Sequence, residues 1–196
     1  MELAKAEQFI LDKLQKELPE YLYYHSFHHT QDVLSAAMRI ATDEGVKGED
    51  AMLLQTAVLY HDAGFTVQYK DHEEIACDIA LKSLPGFAYA EEQISIICGM
   101  IMATKIPQSP NNLLEEIICD ADLDYLGRED FWTISNNLYK ELNNFNELNE
   151  RDWYKLQINF FEQHHYFTPS VIKLRAQKKE EHLKEIKQLF VRLSVL

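Results

Sequence analysis

The chain has 196 residues, a length that favours one well-buried domain over two. Hydrophobic residues make up 46% and charged residues 26%, which is typical of a globular protein and excludes a disordered one. The formal net charge of −13 argues against binding to a nucleic-acid backbone, because such binding needs lysine and arginine to displace counterions. A small anionic substrate would therefore need a local positive site, such as a metal ion.

The cysteines and the N-terminus bear on the compartment. Cys77, Cys98 and Cys119 are odd in number and widely spaced in apolar segments, which indicates buried free thiols in a reducing compartment. The first residues contain no apolar signal region, and no run approaches the roughly 18 apolar residues of a membrane span. We therefore expect a cytoplasmic protein that does not bind membranes, and a homo-oligomer remains open.

Apolar residues at helical spacing predict a single-domain, all-α helical bundle over residues 1–196. Glycine and proline are scarce, with six and five residues, and alternation of period two is nearly absent. Asp71 and Glu74 have the spacing of a capping box, and Ser109-Pro110 is a plausible helix start. The predicted helices cover residues 2–18, 28–44, 50–62, 71–84, 88–104, 113–123, 129–145 and 150–165, and a last helix begins at Thr168-Pro169.

The third predicted helix ends in a possible pair of metal ligands. His61 continues its buried stripe, and Asp62 follows directly. Adjacent helical side chains leave about 100° apart, yet both can reach one cation that lies between their directions. The alternative is an ordinary helix C-terminus, where the macrodipole favours histidine and Gly64 ends the helix.

Two further donors lie near helix ends elsewhere in the chain. Asp122 is in phase with Leu114 and Ile118 on the apolar face of a short helix. A carboxylate on a buried face is costly unless it is paired or holds a metal ion. His29 falls in the first turn of the second predicted helix, beside the buried stripe of that helix.

In combination, these residues resemble the HD-domain superfamily of metal-dependent phosphohydrolases. The resemblance covers about residues 22–127, and residues 128–196 are expected to complete the bundle and to shape either the pocket or a subunit contact. It implies one divalent ion per chain, such as Mn, Fe, Ni, Zn or Mg, held by His29, His61, Asp62 and Asp122. The segments that carry the resemblance are Tyr24-His25-Ser26-Phe27-His28-His29-Thr30, Leu59-Tyr60-His61-Asp62-Ala63-Gly64 and Asp120-Ala121-Asp122-Leu123.

The chain departs from the pattern of the family members that bind two metal ions. Such members carry further histidines, one soon after the His-Asp pair and one at the end of the following helix. His72 can fill the first position, but Ala103-Thr104-Lys105 stands at the second. A single metal ion is therefore favoured, and the two-iron oxygenase branch is disfavoured. Thr104 could instead hold water or phosphate.

The resemblance implies hydrolysis of a nucleotide or another small phosphate ester, as a phosphomonoesterase or phosphodiesterase. A divalent ion lowers the pKa of a bound water and polarises a phosphoryl oxygen, so that hydroxide attacks phosphorus. We expect Asp62 to orient or deprotonate that water, and His25 and His72 to contact phosphate or protonate the leaving oxygen. Lys105 and Arg128 could supply positive charge. The alternative function is a non-catalytic module that binds or senses a nucleotide.

Several polar residues also have plain structural explanations. His28 is expected at the surface or beside a ligand, and His72 could simply occupy the first position of a capped helix. Asp120 could support a ligand histidine or lie at the surface, whereas Asp124 is expected to face solvent or end a helix. His164-His165 is expected in core packing or at the surface.

Overall fold

The chain folds as a bundle of helices, which confirms the all-α prediction. The computed structural model describes residues 1–145 and 147–193. Within these ranges there are nine α-helices, three short 3-10 turns and no β-strand. The helices are α1 (Leu3–Glu17), α2 (Phe27–Asp43), α3 (Gly48–Tyr60), α4 (His72–Ser83), α5 (Glu91–Ala103), α6 (Leu113–Asp122), α7 (Phe131–Leu142), α8 (Glu150–Gln163) and α9 (Pro169–Leu193). The 3-10 turns are Ala63–Thr66, Leu84–Phe87 and Asp124–Gly127.

Helix α3 lies at the centre of the bundle, in contact with α1, α2, α4, α5 and α6. From Leu53 to Tyr60 every residue except Gln55 is buried. A helix that is apolar on all sides is enclosed by its neighbours. The buried surface of α3 is therefore wider than the single buried stripe that the sequence predicts. Because α3 is enclosed, the His61-Asp62 pair at its end also lies inside the protein, with 1% and 6% of each residue exposed.

Helices α2 and α6 pack against each other along their apolar faces. The apolar residues of α2 that recur at helical spacing are all buried, namely Val33, Ala37, Ile40 and Ala41. Small alanines on this face let the two helix backbones approach closely. The packing brings the first turn of α2 next to the last turn of α6.

Side-chain caps set where α2 and α6 begin. The Ser26 hydroxyl accepts a hydrogen bond from the His29 backbone amide, at 3.4 Å, and starts α2. The Asn112 side chain accepts one from the Glu115 amide, at 3.1 Å, and starts α6. The predicted start at Ser109-Pro110 is therefore wrong, because an asparagine close behind it provides the cap.

The predicted capping box at the start of α4 is also wrong. Asp71 does occupy the position before the helix, but its backbone is left-handed, with φ of 54°, and its side chain makes no capping hydrogen bond. The Asp71 and Glu74 carboxylates both pair with the Lys105 ammonium instead. The attraction of one cation for two carboxylates has replaced the local cap.

The C-terminal helices cover one side of this core. α8 packs against α9, and α9 packs against the Asp124–Gly127 turn. Gly127 is required there, because a Cβ at this position would lie 2.5 Å from the Arg175 carbonyl oxygen. None of the helices in the described part of the chain is both long and apolar enough to cross a bilayer.

Candidate metal centre and substrate cavity

Three helix ends meet at the centre of the bundle and carry the four predicted metal ligands. His29 is in the first turn of α2, His61 and Asp62 directly follow α3, and Asp122 is the last residue of α6. The ligand atoms of His29, His61 and Asp122 all lie within 4.8 Å of one another. His29 and Asp122, which are 93 positions apart in the chain, are therefore side by side in the fold.

The distances place Asp62 in the same cluster. Its Oδ2 atom is 3.4 Å from His29 Nε2 and 3.3 Å from His61 Nε2. Asp122 Oδ1 is 3.1 Å from His29 Nε2 and 3.7 Å from His61 Nε2. Two imidazole nitrogens and two carboxylate oxygens thus converge, which is a donor set that suits borderline divalent metals.

His29 Nε2 and Asp122 Oδ1 share a hydrogen bond, but the inner atoms of His61 and Asp62 are free to bind a cation. His61 Nδ1 donates to the Val58 carbonyl oxygen at 2.7 Å, which leaves the Nε2 lone pair directed at the cluster. His61 Nε2 and Asp62 Oδ2 are buried, and neither has a hydrogen-bond partner among the described residues. Buried polar atoms without partners are rare and need an explanation. A cation between these atoms would satisfy both, so the donor set fits a divalent ion.

The ionisation of the cluster reflects its shared negative charge. Burial alone would lower the pKa of His61, but Asp62 and Asp122 outweigh it and hold that pKa well above its usual value. Burial would raise the pKa of Asp62, but the nearby positive charge of His61 holds it well below its usual value. Without a cation the carboxylates draw a proton onto the histidine, and a divalent ion would compete for the same position.

His72 stands beside the cluster, at the first residue of α4. Its Nε2 atom is 3.5 Å from Asp62 Oδ1 and 3.5 Å from Glu73 Oε1. Burial would lower the pKa of His72, but the hydrogen bond and charge of Asp62 raise it above its usual value. Gly64 allows this approach, because a Cβ on it would lie 1.9 Å from the His72 carbonyl oxygen.

His25 is anchored by a carboxylate that the sequence analysis did not single out. Glu141, fully buried in α7, accepts hydrogen bonds from the backbone amides of Tyr24 and His25, at 2.8 and 3.0 Å. It also pairs with the His25 ring at Nδ1 and accepts a hydrogen bond from the Tyr69 hydroxyl at 3.2 Å. Burial would raise the pKa of Glu141, but the hydrogen bonds and charge of His25 lower it. Glu141 thus fixes the ring orientation of His25.

The aromatic ring of Phe65 packs against both histidines of this region. Ring centroids are 4.2 Å apart for the Phe65 and His25 pair and 3.9 Å apart for the Phe65 and His72 pair, and both pairs are stacked. The two imidazoles are therefore held near each other, with ring centroids 6.1 Å apart.

The two basic residues proposed for the site have other partners. Lys105 is paired with Asp71 and Glu74 on the surface. Arg128 donates to both oxygens of Asp32, at 2.9 and 2.7 Å, and also pairs with Asp130. The structure does not bring either of them to the cluster.

Two aspartates near the cluster support the fold. Asp120 is fully buried and accepts hydrogen bonds from the Phe167 and Thr168 amides and from the Thr168 hydroxyl, at 2.6–2.9 Å, so it anchors the start of α9. Asp124 is 2% exposed and pairs with Arg39 and Arg175. The expectation that Asp124 faces solvent was wrong, because arginines from two helices cover it.

The remaining polar candidates lie at the surface or contact other parts of the fold. His28 is exposed, as expected. Thr104 is buried and donates its hydroxyl hydrogen to the Ile101 carbonyl oxygen at 2.7 Å. His164 packs against Phe160 and Tyr166.

A cavity of about 320 Å³ opens beside the cluster. This volume is at the lower end for small-molecule sites. Helices α7 and α8, which lie beyond the segment that carries the resemblance, supply much of its apolar wall. The polar part of the wall consists of His25, Asp62, His72, Glu73, Thr104 and Asp122, and the apolar wall includes Leu138, Leu142, Trp153, Leu156, Phe160 and Phe161.

Comparison with known proteins identifies the family. The model of the HD domain matches residues 26–124, about half of the chain and the segment that contains all four converging side chains. The chain belongs to the HD-domain family. The match and the His-His-Asp cluster together support a superfamily of metal-dependent hydrolases.

Solved structures share the fold along nearly the whole chain. A predicted HD superfamily hydrolase from an uncultured Thermotogales bacterium is 20% identical, with a TM-score of 0.62 over 94% of this chain and 91% of that chain. A protein from Lactobacillus plantarum is 18% identical, with a TM-score of 0.72 over 100% and 98%. YpgQ of Bacillus subtilis, solved in complex with ADP, is 15% identical, with a TM-score of 0.66 over 95% of each chain. A search of proteins with curated functions found no match.

Proposed function

We propose that this chain is a metal-dependent phosphohydrolase that acts on a nucleotide or another small phosphate ester. The observation that carries the proposal is the convergence of His29, His61, Asp62 and Asp122, with buried, unpartnered atoms on two of them, beside a cavity. These four side chains would hold one divalent ion. When bound, the ion would supply Lewis-acid activation of water and of a phosphoryl oxygen.

Asp62 has a second task in this proposal. Its Oδ2 atom faces the ligand histidines, whereas its Oδ1 atom faces His72. The second oxygen is therefore available to orient the attacking water and to receive its proton. A carboxylate whose pKa is held well below its usual value stays ionised and ready to accept a hydrogen bond.

The two cavity histidines would act on the phosphate. His25 and His72 both line the cavity next to Asp62, and Phe65 stacks on both rings. A protonated imidazole can bind a phosphate oxygen or give its proton to the leaving oxygen. His72 suits this role because Asp62 raises its pKa. Glu141 would position His25 through Nδ1.

A nucleotide is the substrate class that the cavity supports best. The charged end of such a ligand would lie at the metal ligands, and its base would lie against Trp153, Phe160 and Phe161. The fold relative YpgQ, which was solved with ADP, adds support for this choice. Three free cysteines accord with a reducing cytoplasm as its compartment.

The test is phosphate or nucleoside release from a panel of nucleotides and other phosphate esters. The protein is stripped of metal and reloaded separately with Mn, Fe, Ni, Zn or Mg. We expect turnover with at least one metal, and a loss of about 10³-fold or more in kcat/KM for Asp62→Ala. Asp78→Ala, an exposed aspartate of α4, is the matched control and should change activity by less than about twofold.

The outcomes separate the two candidate functions. Absence of turnover with every metal and substrate would contradict the hydrolase proposal. Tight nucleotide binding without turnover would favour the alternative, a non-catalytic sensing module.

A further inference from the structure

The apolar wall of the cavity contains one amide. Gln157 lies on α8, one turn after Trp153 and one turn before Phe161, so all three face the same way. Among the α7 and α8 residues that line the cavity, it alone has a side-chain hydrogen-bond acceptor. Gln157 is only 6% exposed, so this acceptor is buried in the protein.

The amide of Gln157 has one hydrogen-bond partner, on the neighbouring helix α7. Its Nε2 atom donates to the Ser135 hydroxyl of α7 at 2.7 Å, in a buried contact between the two helices. Its Oε1 atom is buried and has no hydrogen-bond partner among the described residues. The contact with Ser135 uses one of the two N–H groups of the amide and leaves its acceptor without a partner.

A buried carbonyl without a partner is costly, so a bound donor at this point is favoured. The donor must belong to a flat, largely apolar group, because Trp153, Phe160 and Phe161 form the surrounding wall. The exocyclic amino group of a nucleobase meets both requirements. A keto group in the same place would set one oxygen lone pair against another.

We propose that Gln157 makes the cavity selective for an amino-bearing base, adenine or cytosine, over the deaminated counterpart. The ring would lie against the aromatic wall and donate from its amino group to Gln157 Oε1. This inference rests on the proposed function in taking a nucleotide as the ligand, and it adds the class of base.

Matched pairs of ligands test the inference. Binding of AMP against IMP and of CMP against UMP is measured by calorimetry with the full chain. Each pair differs by an amino group in place of a keto group and by the hydrogen on the adjacent ring nitrogen. We expect a preference of roughly tenfold to a hundredfold for AMP and for CMP. Purine riboside monophosphate, which lacks the amino group, should bind as weakly as IMP or nearly so.

Variants connect the preference to the amide. Gln157→Leu should reduce the AMP to IMP preference to within about twofold, whereas Asn159→Leu, an exposed amide on the same helix, should leave it unchanged. Ser135→Ala should weaken the preference without removing the acceptor, because it frees the amide to rotate. Circular dichroism establishes that each variant folds, and Ser135→Ala still tests the inference if Gln157→Leu does not fold.

Failure of this inference differs from failure of the proposed function. Equal binding of AMP and IMP, or a preference that persists in Gln157→Leu, would overturn the inference even if both nucleotides are hydrolysed. Binding of neither pair would overturn it as well, even if another phosphate ester is hydrolysed. A Gln157-dependent preference for AMP without any hydrolysis would support the inference and contradict the hydrolase proposal.

Discussion

His61 and Asp62 show how two adjacent residues act on one point. The His61 ring is turned inward by its hydrogen bond to the Val58 carbonyl oxygen, one turn earlier in α3. α3 ends at Tyr60, so Asp62 has left the regular helix and can direct Oδ2 toward His61 Nε2 at 3.3 Å. On a regular helix, adjacent side chains point about 100° apart. Because the helix ends before Asp62, the Asp62 and His61 side chains can point toward each other.

Gly64 provides a test of how the site is positioned. In Gly64→Ala the new Cβ would lie 1.9 Å from the His72 carbonyl oxygen, so the start of α4 must move. We expect the free energy of unfolding to fall by about 2 kcal/mol or more, and hydrolysis to fall with it as His72 moves away from Asp62. Denaturant titration and the phosphate-release assay measure the two effects.

The control for this variant is Gly86→Ala. A Cβ at Gly86 meets no atom within 4 Å, so stability should stay the same or rise slightly. Equal stabilities of Gly64→Ala and the wild type would show that the backbone contact with His72 has no importance.

Glu141 should contribute strongly to stability. In Glu141→Leu the Tyr24 and His25 amides and the Tyr69 hydroxyl lose their acceptor inside the protein. Buried donors without partners are costly, so we expect a loss of about 3 kcal/mol or more in the free energy of unfolding, measured by denaturant titration. Glu147→Leu, at an exposed glutamate, should change stability by no more than about 0.5 kcal/mol. A similar small effect at Glu141 would contradict its role as an anchor.

The sequence could predict Asp122 as a site residue but not Glu141, although both break an apolar stripe. Asp122 follows Leu114 and Ile118 at intervals of four, and Glu141 follows Phe131, Ile134 and Leu138 at intervals of three or four. The first matched a known pattern, whereas the second lies outside it. The same signal was present for Glu141, but its partners are 72 to 117 positions away and could not be inferred from local spacing.

At the scale of elements, α7 and α8 add an apolar wall to the cavity beside the candidate metal ligands. They supply Leu138, Leu142, Trp153 and Leu156 to the cavity wall. Leu156 has the spacing of a core residue of α8, one turn after Trp153, yet it is 47% exposed and borders the cavity. Helical periodicity predicts which face is apolar, but it does not tell a face that packs on a neighbour from one that lines a cavity.

The end of α8 predicts a dependence of stability on pH. Both ring nitrogens of His164 are buried and have no partner among the described residues. Burial, aided by the charges of Lys179 and His165, lowers the pKa of His164 to about 3. The unfolded chain takes up a proton near pH 6.5, so the stability that this residue contributes above that pH is lost as the pH falls toward 3. The loss is about 2 kcal/mol between pH 7 and pH 5.

Replacement of the ring tests this assignment. The phenyl ring of His164→Phe cannot be protonated. When the pH is lowered from 7 to 5, the free energy of unfolding of the wild type should therefore fall by about 2 kcal/mol more than that of the variant. His165→Phe, at an exposed position, should change little with pH. Denaturant titrations at the two pH values measure the difference. A constant gap between His164→Phe and wild type would contradict a buried, neutral His164.

At the scale of the whole molecule, burial of α3 decides where the site forms. Because α1, α2, α4, α5 and α6 surround it, its end cannot reach solvent and must meet the ends of its neighbours. The helical bundle, the helix order and the four converging residues could be predicted from periodicity and from the resemblance. The placement of Lys105 and Arg128 could not, because ion pairs with Asp71, Glu74, Asp32 and Asp130 depend on distances between helices.

The most direct test of the account is the metal content of the purified protein, measured by elemental analysis after exposure to a mixture of divalent metals and removal of unbound ions. The account predicts about one ion per wild-type chain, loss of most of it in His61→Ala and in Asp122→Ala, and full retention in His28→Ala, at an exposed histidine. A wild-type chain that retains no ion, or a His61→Ala variant that retains as much as wild type, would contradict it.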